Sequence, residues 1–422
     1  MNLEEWLEYL EQCHPSTIEL GLDRITRVAE KLPIGFQDTR IITVGGTNGK
    51  GSTVSMLSAI LEEGGYTTAS YTSPHLLVYN ERVKLGKRLA TDAQLCQSFA
   101  AVEAVRGDSQ LTYFEFGTLA ALQLFSEYKP DFILLEVGLG GRLDAVNILD
   151  PDIAILTNVA LDHTDWLGDT RETIGYEKAG IFRKAKPALV GETDIPESVV
   201  QFASDTGAKL YANGNSFSAQ QSGEKLWAWE GETFEGSRIE LDNLPMNDYP
   251  LDNCATVVQA VTLAAPEINQ LQIAAGLSKA ELPGRFQRKE HDGVVIILDV
   301  AHNPHAAQRL TGKMRAEFPD YSIHLVVAML ADKNYQEVLT INNMLEPHWY
   351  VAGIQEDRGL EGKILYNLLS DAGVDKAQCF DNVTEAYTAA HTAVKSLQDQ
   401  HKEAVILVTG SFFTVSTVLE LI

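Results

Sequence analysis

Four glycines and a lysine crowd into GGTNGKG at residues 45–51. Glycine backbones let amide N–H groups converge on phosphate oxygens, and the Lys50 ammonium can reach the β- and γ-phosphates of a nucleotide. The hydroxyl of Ser52 or Thr53 comes next and can meet magnesium. The common spacing GxxxxGK[ST] is not strictly kept, since Val44 and Gly51 occupy its first and last positions. Acids recur at the ends of apolar runs. Glu136 lies in DFILLEV (131–137), and Asp162, His163 and Asp165 follow DIAILTNV (152–159). Carboxylates at the carboxyl end of a buried strand are placed to hold magnesium. Ser73 in YTSPHL also follows a strand-like run, although Ser-Pro by itself signals a turn. Lys178 in YEKAGIF, taken alone, reads as a surface lysine on a helix. Tyr113, Phe114 and Phe116, taken alone, read as core packing.

The elements that must position these residues are legible as texture. Short Ile/Val/Leu runs alternate with helical patterns: RIITV (40–44), the two runs above, VVIILDV (294–300), HLVVAML (324–330) and EAVILVTG (403–410). Such runs suit strands buried on both faces, and the alternation predicts parallel sheets of α/β type. The phosphate loop follows a strand (41–44) and opens a helix near Ser52, with Val54, Leu57, Ile60 and Leu61 at helical spacing and Gly64–Gly65 at its end. Between about 186 and 245 the chain turns polar and Gly-rich, which predicts a small antiparallel excursion. A helical pattern then runs from Asn253 to Ala280. ELPGRFQRKEHDGV reads as a linker, giving an ATP-binding domain at 1–283, a linker at 284–293 and a smaller domain at 294–422.

Bulk properties exclude several classes. The 422 residues are 45% hydrophobic and 22% charged, enough for two or three domains with real cores. A net charge of −25 argues against nucleic acid and anionic membranes as partners, and it requires any anion site to be locally basic or metal-loaded. Cys13, Cys96, Cys254 and Cys379 form no CxxC pair, so neither a zinc framework nor a disulfide framework is implied. MNLEEWLEYLEQCH lacks the basic start of a signal peptide, and no apolar run approaches the roughly 20 residues of a membrane span. A cytoplasmic protein is expected.

GTNGKGS, SPHL, LTYFEFGTLAAL, ILLEVGLGGRLDAVN, ALDHTDWLG, EKAGIF, LPGRFQ, LDVAHNPHAA and TGSF occur in one order across essentially the whole chain. Together they resemble the folylpolyglutamate synthase family within the Mur-ligase-like enzymes, most of all its bacterial bifunctional members that are also dihydrofolate synthases. The resemblance implies an N-terminal P-loop ATPase domain of Mur-ligase type and a smaller C-terminal Rossmann-like α/β domain. It implies ATP, two magnesium ions, L-glutamate, and 7,8-dihydropteroate or tetrahydrofolate and its polyglutamates as the molecules handled, by a monomer. By matching motifs, Thr47, Asn48, Gly49 and Lys50 would cradle ATP, joined by Asn253, Arg285 and Asp299. Ser73, Glu136 and His163 would hold metal, with Lys178 matching a lysine that is carbamylated in the family. Thr17, Ile18, Glu19 and Leu20, Thr112 to Glu115 (Thr112, Tyr113, Phe114, Glu115), and Leu143, Asp144 and Ala145 would meet the pterin. Phe114 suits ring stacking and Asp144 suits the pterin's N–H donors. His302 and Ser411 would act near the phosphoryl and glutamate groups, with His305 and Lys333 as weaker candidates.

Three alternatives stay open on sequence. One is a Mur-type ligase acting on a cell-wall nucleotide, against which LTYFEFGT and the ordered motif set argue. Another is an ATP-dependent switch without a ligase step. The third is an enzyme that only polyglutamylates, against which HPSTIELGL argues by resemblance.

Overall fold

The computed structural model describes residues 1–14, 19–356 and 358–422, which divide into two units, Met1–Glu281 and Leu282–Ile422. The first unit is built on an eight-stranded sheet. Its strands are β1 (Arg40–Gly45), β2 (Thr68–Tyr71), β3 (Val83–Leu85), β4 (Arg88–Leu89), β5 (Phe132–Glu136), β6 (Ile153–Leu156), β7 (Pro187–Val190) and β8 (Lys209–Ala212), in the spatial order β4-β3-β2-β5-β1-β6-β7-β8. Every pairing from β2 to β8 is parallel, and β3 and β4 add an antiparallel edge. The central strands are buried along nearly their full length, which is why their sequences are apolar without alternation. β1 lies between β5 and β6, so the chain ends that follow these three strands emerge side by side.

Residues 186–245 depart from the antiparallel expectation in their first half. Pro187–Val190 and Lys209–Ala212 extend the parallel sheet, with the helix Glu197–Thr206 between them. Burial of Ala188, Leu189 and Val190 on both faces accounts for this. The antiparallel sheet is confined to β9 (Ser218–Gln221), β10 (Leu226–Glu232) and β11 (Arg238–Pro245). There Trp227 and Trp229 are buried, and the Trp229 indole donates to the Ala255 carbonyl at 3.2 Å. The helical stretch expected from Asn253 to Ala280 is two helices, Leu251–Ala264 and Gln270–Lys279. Pro266 has no N–H to continue the first, and Asn269 caps the second through the amides of Leu271 and Gln272.

The second unit is a six-stranded sheet of β12 (Gln287–His291), β13 (Val294–Leu298), β14 (Ser322–Val327), β15 (His348–Ala352), β16 (Ala377–Phe380) and β17 (Ala404–Thr409), in the order β12-β13-β17-β14-β15-β16. Five strands are parallel, as expected of a Rossmann-like unit, and β12 runs antiparallel at the edge. Within 284–293, expected as a linker, Gln287–His291 form this edge strand. QRKEH pairs with VVIIL across a two-residue turn at Asp292–Gly293, both at positive φ (49° and 79°). An edge strand tolerates charge that an interior strand does not, so its sequence does not announce a strand. Among the described residues no helix is long and apolar enough to cross a membrane.

Candidate active site

The loop between β1 and the helix Lys50–Glu63 is shaped by close approach. Gly46 has φ +137°, and a Cβ there would lie 1.9 Å from the Thr157 hydroxyl oxygen. Gly49 has φ +86°, and a Cβ would lie 2.2 Å from Asn253 Nδ2. Glycine is the residue that fits both constraints. The loop is clamped by the segment after β6. Thr157 donates to the Asn48 carbonyl at 2.7 Å, and Asn158 donates to the same carbonyl at 2.8 Å while accepting from the Asn48 amide at 3.1 Å. The Thr47 hydroxyl accepts from the Ala160 amide at 3.0 Å. Asn253 reaches the helix start from the other side, donating to Ser52 Oγ at 3.4 Å. Thr47, Asn48, Gly49, Lys50 and Asn253 are thus brought together. Thr157 and Asn158, which do the clamping, were missed by sequence reasoning; the only signal was a polar pair directly after a buried strand.

Two lysines meet at this loop. Lys50 Nζ donates to the Gly46 carbonyl at 3.0 Å and to that of Thr47 at 3.2 Å, and Lys178 Nζ donates to the same Gly46 carbonyl at 3.1 Å. Lys178 is buried, contrary to its reading in isolation as a surface lysine. Burial first, and the charge of Lys50 second, push its ammonium down to about 7, against the opposing pull of Asp162 and Asp144. Its helix, Arg171–Ala179, is locked to GGRLDAVN: the Arg142 guanidinium donates to Glu177 at 2.8 Å, and the Arg142 amide donates to the Glu177 carbonyl at 2.8 Å. A lone lysine in a helical pattern gives no sign of this, because the carbonyl it meets, that of Gly46, lies 132 residues upstream.

Glu136 ends β5, and its carboxylate accepts from the Ser73 amide at 3.1 Å. This contact brings together two of the expected metal ligands, and a hydroxyl beside a carboxylate is the hard-oxygen chemistry magnesium takes. His163 stands past β6 in a left-handed conformation (φ +51°) and opens a short helix, its amide donating to Asp162 at 2.9 Å. The segment at Glu136 and that at His163 both follow the carboxyl ends of strands flanking β1.

The expected pterin segments also converge. Thr17 and Ile18 lie outside the described residues. Glu19 is joined to Glu115 by Arg24, which donates to Glu115 at 2.8 Å and pairs with the Glu19 carboxylate. The Gly21 amide donates to the Leu143 carbonyl at 3.3 Å, tying the stretch after Leu20 to the Leu143–Ala145 segment. Glu115 is buried and forms a capping box with Thr112, so its carboxylate is bound to its own helix. Asp144 is buried and caps the short turn Ala145–Ile148, accepting from Val146 at 3.1 Å and from Leu139 at 2.8 Å. Burial raises its carboxyl to about 6, against the lowering by those amides. Phe114 is half-buried and stacks on Tyr71 at 5.6 Å, whereas Phe116 is wholly in the core against Trp6 and Phe99. Tyr113 lies under the Arg82 guanidinium at 5.6 Å. Arg24 and Arg82 were not singled out from sequence, since an isolated arginine carries no pattern.

In the second unit, Asp299 follows β13. It is bound at both oxygens, by the Phe286 amide at 2.8 Å and the Ala301 amide at 2.9 Å. Burial raises its pKa, with the Arg285 charge opposing. The Arg285 guanidinium lies over the Phe412 ring at 5.1 Å. His302 Nδ1 contacts the Val300 carbonyl at 2.9 Å; a carbonyl only accepts, so Nδ1 carries a proton. Ser411 is buried and caps the helix Phe412–Leu419, accepting from the Thr414 amide at 3.0 Å. Arg285, Asp299, His302 and Ser411 gather at the carboxyl edge of this sheet. His305 sits in the first turn of the helix Pro304–Glu317, and Lys333 lies in the turn after β14.

Comparison with known proteins adds the family. Residues 44–242 match the Mur ligase middle domain and residues 284–412 the Mur ligase, glutamate ligase domain. The dihydrofolate synthase/folylpolyglutamate synthase of Escherichia coli (strain K12) is 42% identical, over 100% of this chain and 95% of its own length. A solved structure of E. coli FolC in complex with DHPP and ADP superposes with a TM-score of 0.92 at 41% identity, covering 100% of this chain and 97% of that one. A bifunctional folylpolyglutamate synthase/dihydrofolate synthase with Mn, AMPPNP and L-glutamate bound has a TM-score of 0.89 at 42% identity, covering 100% and 98%.

Proposed function

The chain belongs to the dihydrofolate synthase/folylpolyglutamate synthase family of Mur ligases, and from that premise we propose how its own residues carry the reaction. It is an ADP-forming ligase that adds L-glutamate to 7,8-dihydropteroate and further glutamates to tetrahydrofolates, with ATP and magnesium. The substrate carboxylate attacks the γ-phosphate of ATP, ADP leaves, and the acyl phosphate is then attacked by the glutamate amine with release of phosphate. Positioning and charge neutralisation do most of this work.

In this reading the amides of Thr47, Asn48 and Gly49 hold the phosphates and Lys50 offsets their charge. Asn253 and Thr157 keep the loop in shape. Ser73, Glu136 and His163 hold magnesium, which supplies charge neutralisation on the phosphates. The Glu19–Leu20, Thr112–Glu115 and Leu143–Ala145 segments receive the pterin, with Phe114 as the stacking surface and Asp144 as the acceptor. Arg285 and Asp299 are assigned to nucleotide, and His302 and Ser411 to the phosphoryl and glutamate groups. Lys178, with a large neutral fraction near pH 7, is suited to carbamylation: its nitrogen bonds the carbon of CO2 and loses a proton, turning a cation into an anion. A cytoplasmic location and a monomeric state complete the proposal.

The observation that carries this reading is the meeting of Lys50 and Lys178 on the Gly46 carbonyl, at the sheet edge where Glu136 receives the Ser73 amide. The test is glutamate-dependent ADP release with dihydropteroate or with tetrahydrofolate, with and without bicarbonate. Activity with both pterins is expected, raised by bicarbonate. Activity with tetrahydrofolate alone would reduce the function to polyglutamylation, and indifference to bicarbonate would remove the carbamate.

A further inference from the structure

The hairpin β12–β13 ends at the opposite end of β13 from Asp299. His291 pairs with Val294 there, while Gln287 pairs with Leu298 beside the candidate site residues. At about 3.3 Å per residue the two ends are roughly 15 Å apart. At the far end, one ligand atom each from His291, Asp292 and His391 lies within 4.8 Å of the others. His391 belongs to the helix Val383–Gln398, which packs along the sheet. We propose that His291, Asp292 and His391 form a binding site for a zinc-class transition-metal ion that fastens the hairpin tip to this helix.

The donor chemistry is specific. Two imidazoles and one carboxylate suit zinc, nickel or copper and disfavour magnesium, which takes oxygen ligands. The scaffold is fixed before any ion arrives. Two side chains on one face of the helix hold the backbone of the tip: Gln398 donates to the Gly293 carbonyl at 3.1 Å, and Lys395 donates to the Asp292 carbonyl. His391 Nε2 meets the His291 carbonyl at 3.3 Å, so His391 ligates through Nδ1 or gives up that contact to the ion. His291 has the outer support that metal-binding histidines show. Its Nδ1 meets the Tyr387 hydroxyl at 2.9 Å, which turns Nε2 toward the Asp292 carboxylate at 3.9 Å. Ligands about 2.0–2.1 Å from a tetrahedral ion stand roughly 3.3 Å apart, so the site must contract by about 1 Å. Asp292 supplies that movement, since its side chain at the turn is 71% exposed. Lys395, on the same helix as His391, donates to the Asp292 backbone carbonyl. Three protein ligands leave a fourth position to water.

The experiment titrates untagged, chelator-stripped, full-length enzyme with zinc chloride by calorimetry and records melting curves with zinc or magnesium. Wild type, His391→Ala and Asp292→Asn are compared, with ligase activity as the folding control. Wild type should take up one more zinc than either variant and should melt several degrees higher with zinc. The variants should lose both that gain and the extra equivalent, and keep their activity. Equal zinc stoichiometry in wild type and Asp292→Asn overturns the proposal, and so does a melting gain that magnesium reproduces. If His391→Ala does not fold, Asp292→Asn at the exposed turn decides alone.

Discussion

Gly46→Ala tests whether the loop geometry, and not merely its glycine content, makes the nucleotide site. The new Cβ would lie 1.9 Å from the Thr157 hydroxyl oxygen and 3.1 Å from the Thr157 amide nitrogen, at φ +137°. Holding a non-glycine residue in such a conformation costs about 1–3 kcal/mol. Relief of the overlap requires the Thr157 hydroxyl to rotate away from the Asn48 and Gly45 carbonyls, which it meets at 2.7 and 3.3 Å. Each bond contributes about 0.5–1.5 kcal/mol. The native loop is thus disfavoured by about 2–6 kcal/mol, and because the strain is local the loop shifts while the sheet stays folded. Residue 46 also carries the carbonyl on which Lys50 and Lys178 converge, so the shift displaces both ammonium groups. At about 1.4 kcal/mol per tenfold, ADP affinity should fall by roughly 30- to 20,000-fold. ADP calorimetry and the ATP dependence of ligase turnover read this, with Gly35→Ala as control, since a Cβ at Gly35 meets nothing within 4 Å. Wild-type affinity for ADP in Gly46→Ala, with the fold intact, would refute the assignment of this loop.

Glu115→Ala separates a structural tie from a substrate contact. It removes the acceptor for Arg24 and for the Thr112 amide in a buried setting, so urea denaturation should show a loss of about 3 kcal/mol. Unchanged stability with a raised KM for dihydropteroate would make Glu115 a ligand contact instead. The second unit should weaken in acid through His324. This residue is buried between the His348 ring, stacked at 4.7 Å, and the Tyr350 hydroxyl at 3.0 Å, with Ser322 Oγ at 3.4 Å. Burial first, and His348 second, lower its pKa from 6.5 to about 4. Above pH 6.5 both folded and unfolded forms are neutral; between 6.5 and 4 the unfolded chain binds the proton more readily, so stability falls as pH falls through that window. The gap is worth roughly 3 kcal/mol, reduced by solvent screening to about 1–2 kcal/mol. Urea midpoints at pH 7.5 and 5 should show the loss, and His324→Phe should remove that part of it.

What the sequence disclosed follows from what each feature does to the local chain. The parallel strands were legible because burial on both faces leaves an uninterrupted apolar run, as in ILLE of β5 and VVIIL of β13. β12 was not, because an edge strand needs only one partner and QRKEH keeps its charges in solvent. The phosphate loop was legible because glycines at fixed offsets record a backbone constraint. Its clamp, Thr157 and Asn158, was not, because 109 and 110 residues separate those side chains from the Asn48 carbonyl they grip. Family motifs pointed to Glu115, Asp144 and Ser411 as site residues. Each is also a helix or turn cap, so its place in a motif records a local backbone requirement as well as any ligand.

A chain with net charge −25 must still attract a nucleotide and a carboxylate, and the structure locates where that field is reversed. Two ammonium groups share one carbonyl at the phosphate loop, inside a buried pocket of backbone. Burial first, and the charge of Lys50 beside it second, bring the Lys178 pKa down to about 7. Lys178 is thereby the adjustable nitrogen of this loop. Burial of Asp144 supplies the matching device among the pterin segments, a carboxyl near 6 held by backbone amides. In both cases it is the surrounding backbone, fixed by the glycine turn after β1 and by the GGRLDAVN segment, that sets the charge on the side chain. Arg24 and Gly21 in turn tie the Glu19 stretch to Glu115 and to the Leu143–Ala145 segment, so the three stretches are held as one unit.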